Sequence, residues 1–483
     1  MKLSKPSQRW VEWGIPAAIL LLNIIYKILF LGSRDITIDE PFTLFYSQMP
    51  IREIMYLLPG ENNPPLHFLL MHAWINLVGI EPFQARLLSL IFGAFSAVLI
   101  YLVGIRNFSR SVGISAALLL TFSNFNTYIA QEARVYSLFV FLSILSVLLF
   151  LELIKKFKTR LLIGLIVVNI LLIYSHFFAF WILVLEYSFI LVFKDLRKRL
   201  FRPFLFMAAV LLIAFLPYLS IFIGRFLASS GGTWLEPPTL SSLYNLLWKF
   251  CNQPVPTVGV IVILSLGLGK YLFSVIKGNS VSRTSVLFLV AWFLLPTLLT
   301  FLISFALPLF YEKYLVFISP AIYLLIGVSV ESLSASKAVR YGTFLLLLTA
   351  FIATSTPRPY DSKSITLMIR DIEDLNTNKD PIVITPGYFD KTFIYHYNRE
   401  WFKDYQRLDE TMQNNHILPI LDPSKLIPEE MNSRKQLFLI EAGSQYLDPS
   451  GAVLQNLKSQ ADSIEVIEYD NVLKLYILRK GNN

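Results

Sequence analysis

The chain has 483 residues, of which 55% are hydrophobic and 16% charged, and its mean hydropathy is +0.58. That balance excludes an ordinary soluble globular protein of this length and points to a polytopic α-helical membrane protein. The formal net charge of +9 is explained by membrane topology, so no nucleic-acid partner is implied. The single cysteine, Cys251, excludes an intramolecular disulfide and a multi-cysteine metal centre.

Lys2, Lys5 and Arg9 precede an apolar run that starts near Trp13. The charge order is that of a signal peptide, but the run is too long and lacks a small-residue cleavage site, so it reads as an uncleaved first span. With about 20 apolar residues needed per crossing, spans are predicted at 13–33, 84–104, 111–128, 135–154, 161–176, 178–193, 204–224, 256–275, 285–306, 314–333 and 341–356. That is about eleven transmembrane helices, with a range of 11–13.

Charge sets the orientation. With a cytoplasmic N-terminus, every short basic cluster falls inside: Arg106 and Arg110; Lys155, Lys156, Lys158 and Arg160; Lys194 with Arg197, Lys198 and Arg199; Lys277 with Arg283; Lys337 with Arg340. The opposite loops hold only scattered cations, Arg34, Arg52, Arg134, Arg225, Lys249 and Lys313. An odd number of spans then places the C-terminus outside.

Two of the extracytoplasmic loops are long. The first, 34–83, contains the apolar stretches Ile51–Leu58 and Pro65–Val78, which read as helices lying at the membrane interface rather than crossing it. The second, about 225–255, holds Gly231-Gly232, Trp234 and the amphipathic Leu240–Phe250, again an interfacial pattern. From Pro357 onward the composition becomes that of a soluble domain. Strand-like runs lie at Pro381–Thr385, Gln436–Glu441, Ser463–Tyr469 and Val472–Arg479, and helical patterns at Ser364–Leu375 and Tyr388–Tyr397. The expected organisation is a transmembrane domain over 1–356, including the 34–83 loop, and a soluble extracytoplasmic α/β domain over 357–483. The second domain carries no phosphate loop, dinucleotide fingerprint or metal spacing.

Chemistry concentrates in four places. Asp39-Glu40 follows the first span, and adjacent carboxylates beside a bilayer are costly unless used. Thr37-Ile38-Asp39-Glu40 also fits a capping box, which would occupy Glu40 but leaves Asp39 as a surplus carboxylate suited to general-base work. Glu40 would orient it, bind sugar hydroxyls or, with Asp39, help hold a divalent cation. Gln131-Glu132-Ala133-Arg134-Val135-Tyr136 sits at the outer end of the third span. There Arg134 could grip a phosphate and Glu132 accept a hydroxyl, against the plainer reading of a snorkelling pair. Lys313, within Tyr311-Glu312-Lys313-Tyr314, is an interfacial anchor or a counter-charge for a lipid-linked phosphate, with Arg225 and Lys249 as weaker candidates. His176 lies among aromatics in Tyr174-Ser175-His176-Phe177-Phe178, where packing is the commoner role. His67 and His72 are five apart, too far round a helix to share a metal.

In order, Asp39-Glu40, Asn63-Pro64-Pro65-Leu66-His67, Arg86-Leu87-Leu88-Ser89, Gln131-Glu132-Ala133-Arg134-Val135-Tyr136 and Tyr174-Ser175-His176-Phe177-Phe178 resemble bacterial GT-C glycosyltransferases of the protein O-mannosyltransferase and aminoarabinose-transferase superfamily, over residues 10–320. The resemblance implies a GT-C-like enzyme of the cell (inner) membrane that takes a sugar from a polyprenyl phosphate and acts on the periplasmic side. It makes Asp39 the catalytic base or a metal-associated acid. Glu40, His67, Glu132, Arg134, His176, Arg225 and Lys313 are the candidate substrate-binding residues. Glu312-Lys313-Tyr314-Leu315 is similar to a Glu-Arg-Tyr-Leu pattern of such families, with lysine replacing the bidentate arginine. The acceptor would be a hydroxyl on a lipid, a glycan or a protein, and a divalent cation is compatible as a cofactor. The competing class is a transporter or flippase of a lipid-linked substrate. That class places ionisable groups in mid-span, whereas here they are expected to gather at the outer ends of spans.

Overall fold

In a computed structural model, residues 6–37, 39–57, 63–229, 235–276, 281–333, 336–357, 363–421, 434–443, 448 and 450–480 are described. The predicted features at Leu58, Gly231-Gly232, Trp234 and Lys277 lie outside the described residues. The apolar runs form helices because backbone groups in hydrocarbon must be bonded within their own segment.

In chain order the first helices are α1 (Pro6–Ile28), α2 (Asp39–Ser47), α3 (Ile51–Leu57), α4 (Leu66–Val78), α5 (Pro82–Asn107), α6 (Arg110–Phe122), α7 (Asn124–Ala130) and α8 (Tyr136–Lys155). Then come α9 (Thr159–Ile173), α10 (Phe180–Val192), α11 (Lys194–Ser229), α12 (Leu240–Phe250), α13 (Pro254–Ile276), α14 (Val281–Ile303), α15 (Glu312–Leu315), α16 (Ser319–Leu333) and α17 (Lys337–Ala353). Each of the predicted spans meets one of these helices. Among the described residues, five helices are long and apolar enough to cross a membrane on their own, and up to seven if each of two bent pairs is a single span. The bent pairs are α6 with α7, at 66°, and α12 with α13, at 96°. Shorter apolar helices cover Trp13–Ile28, Leu66–Val78, Thr159–Ile173 and Phe177–Val192. The predicted span 161–176 stops at Ile173 because Tyr174, Ser175 and His176 turn the chain.

Two compact units divide the chain. One contains Met1–Leu31, Arg52–Leu70 and Arg86–Pro359; the other contains Gly32–Ile51, Met71–Ala85 and Tyr360–Asn483. Parts of the 34–83 loop, expected within the 1–356 domain, therefore group with the C-terminal residues.

In the first unit, α16 is buried from Ser319 to Val330 and packs on α6, α13 and α14. The break between α6 and α7 is a satisfied one. Asn124 N–H donates to Asn252 Oδ1 at 2.7 Å, and Asn252 Nδ2 donates to the carbonyls of Phe122 and Phe351 at 2.9 and 3.1 Å. Such pairing is what lets a helix break persist at membrane depth.

Glu186, midway along α10, departs from the expectation that charge gathers at span ends, whereas Lys27 lies in the last turn of α1. Lys27 in α1 and Glu186 in α10 are both fully buried. Glu186 ties three helices together: its Oε1 lies 2.7 Å from Ser146 Oγ, its Oε2 accepts from Asn169 Nδ2 at 2.8 Å, and Ser146 Oγ is 2.6 Å from Asn169 Oδ1. A single charged letter within an apolar run was the available signal.

The second unit holds a five-stranded sheet in the order β2-β1-β3-β5-β4, with β1 (Ile382–Thr385), β2 (Ile417–Pro419), β3 (Gln436–Ala442), β4 (Ser463–Glu468) and β5 (Leu473–Arg479). β1 runs parallel to β2 and β3; β5 runs antiparallel to β3 and β4. All four residues of β1 are buried, as a parallel strand between neighbours requires. β2, only three residues long and ending at Pro419, is too short to show alternation, and the sequence pattern did not predict it. The helices are α18 (Ser364–Leu375), α19 (Asp390–Tyr397), α20 (Arg399–Lys403), α21 (Leu408–Asn414) and α22 (Ala452–Lys458). α18 buries Ile365, Met368, Ile369 and Ile372, one amphipathic face at helical spacing.

Candidate functional site

The first unit builds its polar cluster on the turn between α7 and α8. α7 ends at Gln131, whose Nε2 donates to the carbonyls of Lys27 at 2.9 Å and Pro357 at 3.2 Å. Close helix packing fixes the other side: a Cβ on Gly93 would lie 2.8 Å from that of Ala130, so only glycine lets α5 approach α7 there. Ser137 Oγ donates to Ile129 O at 3.0 Å, and Ser89 Oγ to Arg134 O at 3.3 Å. The turn is thereby held from several directions.

Glu132 is buried in this turn. Its Oε1 accepts from Lys313 Nζ at 2.8 Å and from Tyr128 Oη at 3.3 Å. The Lys313 ammonium also stands 4.9 Å from the Tyr128 ring centre and 5.5 Å from that of Tyr136. Glu132 Oε2, equally buried, has no partner among the described residues. The plainer reading of Glu132 and Arg134 as a snorkelling pair thus gives way to a Glu132–Lys313 pair. Lys313, expected as an interfacial anchor or a counter-charge for phosphate, is here the counter-charge of Glu132.

His176 caps the short helical turn Phe177–Ala179, its Nδ1 accepting from Phe178 N–H at 3.1 Å, and stacks on Phe139 at 4.7 Å. Its ring also meets Tyr314 at 5.5 Å, linking the 174–178 turn to the Lys313 turn. Leu66 N–H donates to Tyr174 O at 2.9 Å, which brings the start of α4, and with it His67, to the same turn. His67 is buried and its Nε2 has no partner among the described residues. Burial, and secondarily the charge of Arg134, push both imidazoles down to about 3, so both are neutral near pH 7. Arg225 is half-buried near the end of α11, and Lys249 lies in the last turn of α12.

The second unit carries the acid pair, and it separates the two acids. Asp39, at the first position of α2, is exposed, whereas Glu40 is fully buried, 3.8 Å from Arg34 Nη2. Glu40 also makes the reaching-back half of a capping box, a long 3.5 Å contact from Thr37 N–H. Among the described residues no group of three His, Cys, Asp or Glu side chains could hold a metal ion.

The fold is shared with solved membrane glycosyltransferase structures. The chain matches "ArnT from Cupriavidus metallidurans in the apo state" over 98% of each chain, with a TM-score of 0.59 at 12% identity. ArnT from the same organism bound to undecaprenyl phosphate gives 0.58 at 12% identity, over 96% of this chain and 98% of that one. The archaeal oligosaccharyltransferase AglB from Archaeoglobus fulgidus, in complex with an inhibitory peptide and a dolichol-phosphate, gives 0.53 at 10% identity, over 90% and 70%. A family profile described as "Dolichyl-phosphate-mannose-protein mannosyltransferase" matches residues 62–221, the stretch that contains His67, Glu132, Arg134 and His176. No curated protein sequence matches the chain.

Proposed function

We propose that this chain is a multi-pass membrane glycosyltransferase that moves a sugar from a polyprenyl phosphate to an acceptor hydroxyl. Glu132 carries the reading. Oε1 is fixed by Lys313 while buried Oε2 has no partner among the described residues, and a buried acceptor of this kind is completed by a hydroxyl donor. Two relatives of the same fold were solved with undecaprenyl phosphate and with a dolichol-phosphate, which supports a lipid-linked donor here.

In this reading Asp39 is the general base. It takes the proton from the acceptor hydroxyl as that oxygen attacks the anomeric carbon from the face opposite the phosphate. The bond from carbon to phosphate oxygen breaks, and polyprenyl phosphate leaves with the electron pair. The configuration inverts in one displacement. Arg134 and Arg225 neutralise the departing phosphate. Lys313 shares its charge with Glu132, so it contributes less to the phosphate than an unshared cation would. Glu132 and neutral His67 bind sugar hydroxyls, and His176 shapes the aromatic wall. Glu40 holds the Asp39 turn through Arg34. No step is routed through a metal.

The basic clusters support a topology with about eleven spans, a cytoplasmic N-terminus and the catalytic chemistry outside. The acceptor is a lipid, glycan or protein hydroxyl.

The test reconstitutes purified protein in lipid with radiolabelled polyprenyl-phosphate sugars and a membrane extract. Label transferred to an acceptor supports the proposal and identifies sugar and acceptor together. Donor that crosses the bilayer without transfer supports the competing flippase class and overturns it.

A further inference from the structure

The segment that carries Asp39 is tied to the C-terminal residues on both sides of that acid, within one compact unit. Ahead of it, the Asp35 carboxylate accepts two hydrogen bonds from one residue: Thr366 N–H to Oδ2 at 2.9 Å and Thr366 Oγ1–H to Oδ1 at 2.6 Å. Thr366 lies in the first turn of α18, where backbone N–H groups have no partner within the helix, so Asp35 acts as an N-terminal cap supplied from distant sequence. One residue on, His396 Nε2 lies 2.9 Å from Ile36 O. A carbonyl can only accept, so Nε2 carries the proton.

Behind Asp39, Phe45 packs edge-on to Phe402 at 5.6 Å and receives Lys391 Nζ 4.7 Å from its ring centre. Gln48 Nε2 donates to Phe402 O at 3.2 Å. Between these ties Glu40 is buried against Arg34, while Asp39 itself is exposed. The backbone on either side of the exposed acid is therefore held, and residues 35–37 have no regular structure of their own.

We infer that the C-terminal α/β portion is a positioning device for Asp39, with Thr366 and His396 as positioning residues that act through Asp35 and Ile36. This rests on Asp39 being the base. It gives the C-terminal residues a part in the reaction that their own side-chain chemistry does not suggest.

The test uses the full chain in lipid nanodiscs and compares wild type, Thr366→Ala, Thr366→Ser, His396→Ala and Asp39→Asn. Thr366→Ala and His396→Ala should each lower kcat by about tenfold to 100-fold with KM for the lipid-linked donor nearly unchanged, since misplacing a reacting group by about 1 Å is that costly. Thr366→Ser keeps both donors and should restore kcat. Amide hydrogen exchange over residues 33–47 should quicken in the two alanine variants. Wild-type kcat with unchanged exchange in both alanine variants overturns the inference, as does Thr366→Ser failing like Thr366→Ala. If a variant does not fold, Asp35→Asn, which weakens the same cap, takes its place with the same readouts. Full activity in Asp39→Asn is a separate result: it refutes the base assignment, whereas the exchange measurement reports on the ties themselves.

Discussion

Lys313 and Glu132, separated by 181 positions in sequence, meet at 2.8 Å with both side chains withdrawn from solvent. A buried ion pair of this kind is held in place by the cost of breaking it. Lys313→Met leaves the Glu132 carboxylate buried without its cation and should destabilise the protein by about 3–5 kcal/mol. Adding Glu132→Gln removes the stranded charge, so the double variant should recover most of the thermal midpoint in detergent yet remain inactive in transfer. If the two losses of stability simply add, the residues are not coupled.

The two acids of the Asp39-Glu40 pair should fail in different ways. Asp39 is exposed, so Asp39→Asn should cost less stability than the loss of buried Glu40 while lowering transfer about 10²–10⁴-fold, the range for a lost general base. Glu40 is buried beside Arg34, so Glu40→Gln should lower the melting temperature as well. Thermal melts and initial rates on the same preparations separate the two. An Asp39→Asn protein that turns over normally would falsify the catalytic assignment.

Acid should destabilise the fold through His67 and His176. In the unfolded chain these imidazoles take up protons below about 6.5; in the folded chain they do so only near 3. Between those values the unfolded state binds more protons, so stability rises with pH, by up to about 1.4 kcal/mol per pH unit for each histidine. Acidification from neutral pH into this window should therefore lower the melting temperature. His176→Asn keeps an acceptor for Phe178 N–H but cannot titrate, and it should make the slope shallower. An identical slope in that variant would show that His176 contributes nothing to it.

Gly93 should tolerate no side chain unless its neighbour shrinks. Gly93→Ala places a methyl 2.8 Å from Ala130 Cβ, an overpacking that costs about 1–3 kcal/mol. Ala130→Gly in the same chain should restore most of the loss. Equal melting temperatures for wild type and Gly93→Ala would mean that α5 and α7 separate without cost.

Much of the polar cluster could be read from order along the chain: Glu132, Arg134, Lys313 and His176 each stand in a short turn between apolar runs, and the structure gathers Glu132, Lys313 and His176 through shared contacts with Tyr136 and Tyr314. Their partners could not be read this way. Nothing local distinguishes Lys313 as a counter-ion for Glu132 from Lys313 as an interfacial anchor, since the choice depends on a contact between distant turns. The separation of Asp39 from Glu40 was legible in outline, because a capping pattern occupies one acid and leaves the other. Asp35 matches no local motif, and its role emerges at α18, far along the sequence.

By itself the sequence determined the long apolar helices, the positions of the turns between them, and most strands of the mixed sheet. These follow from apolar run length, periodicity and local turn chemistry, all properties of neighbouring residues. Tertiary structure decided which helices are broken or short, that Glu186 is spent on joining three helices, that Glu132 is paired with Lys313, and that the segment bearing Asp39 groups with the C-terminal residues. Those outcomes depend on which buried polar groups find partners across long sequence separations, and that pairing exists only once the chain has folded.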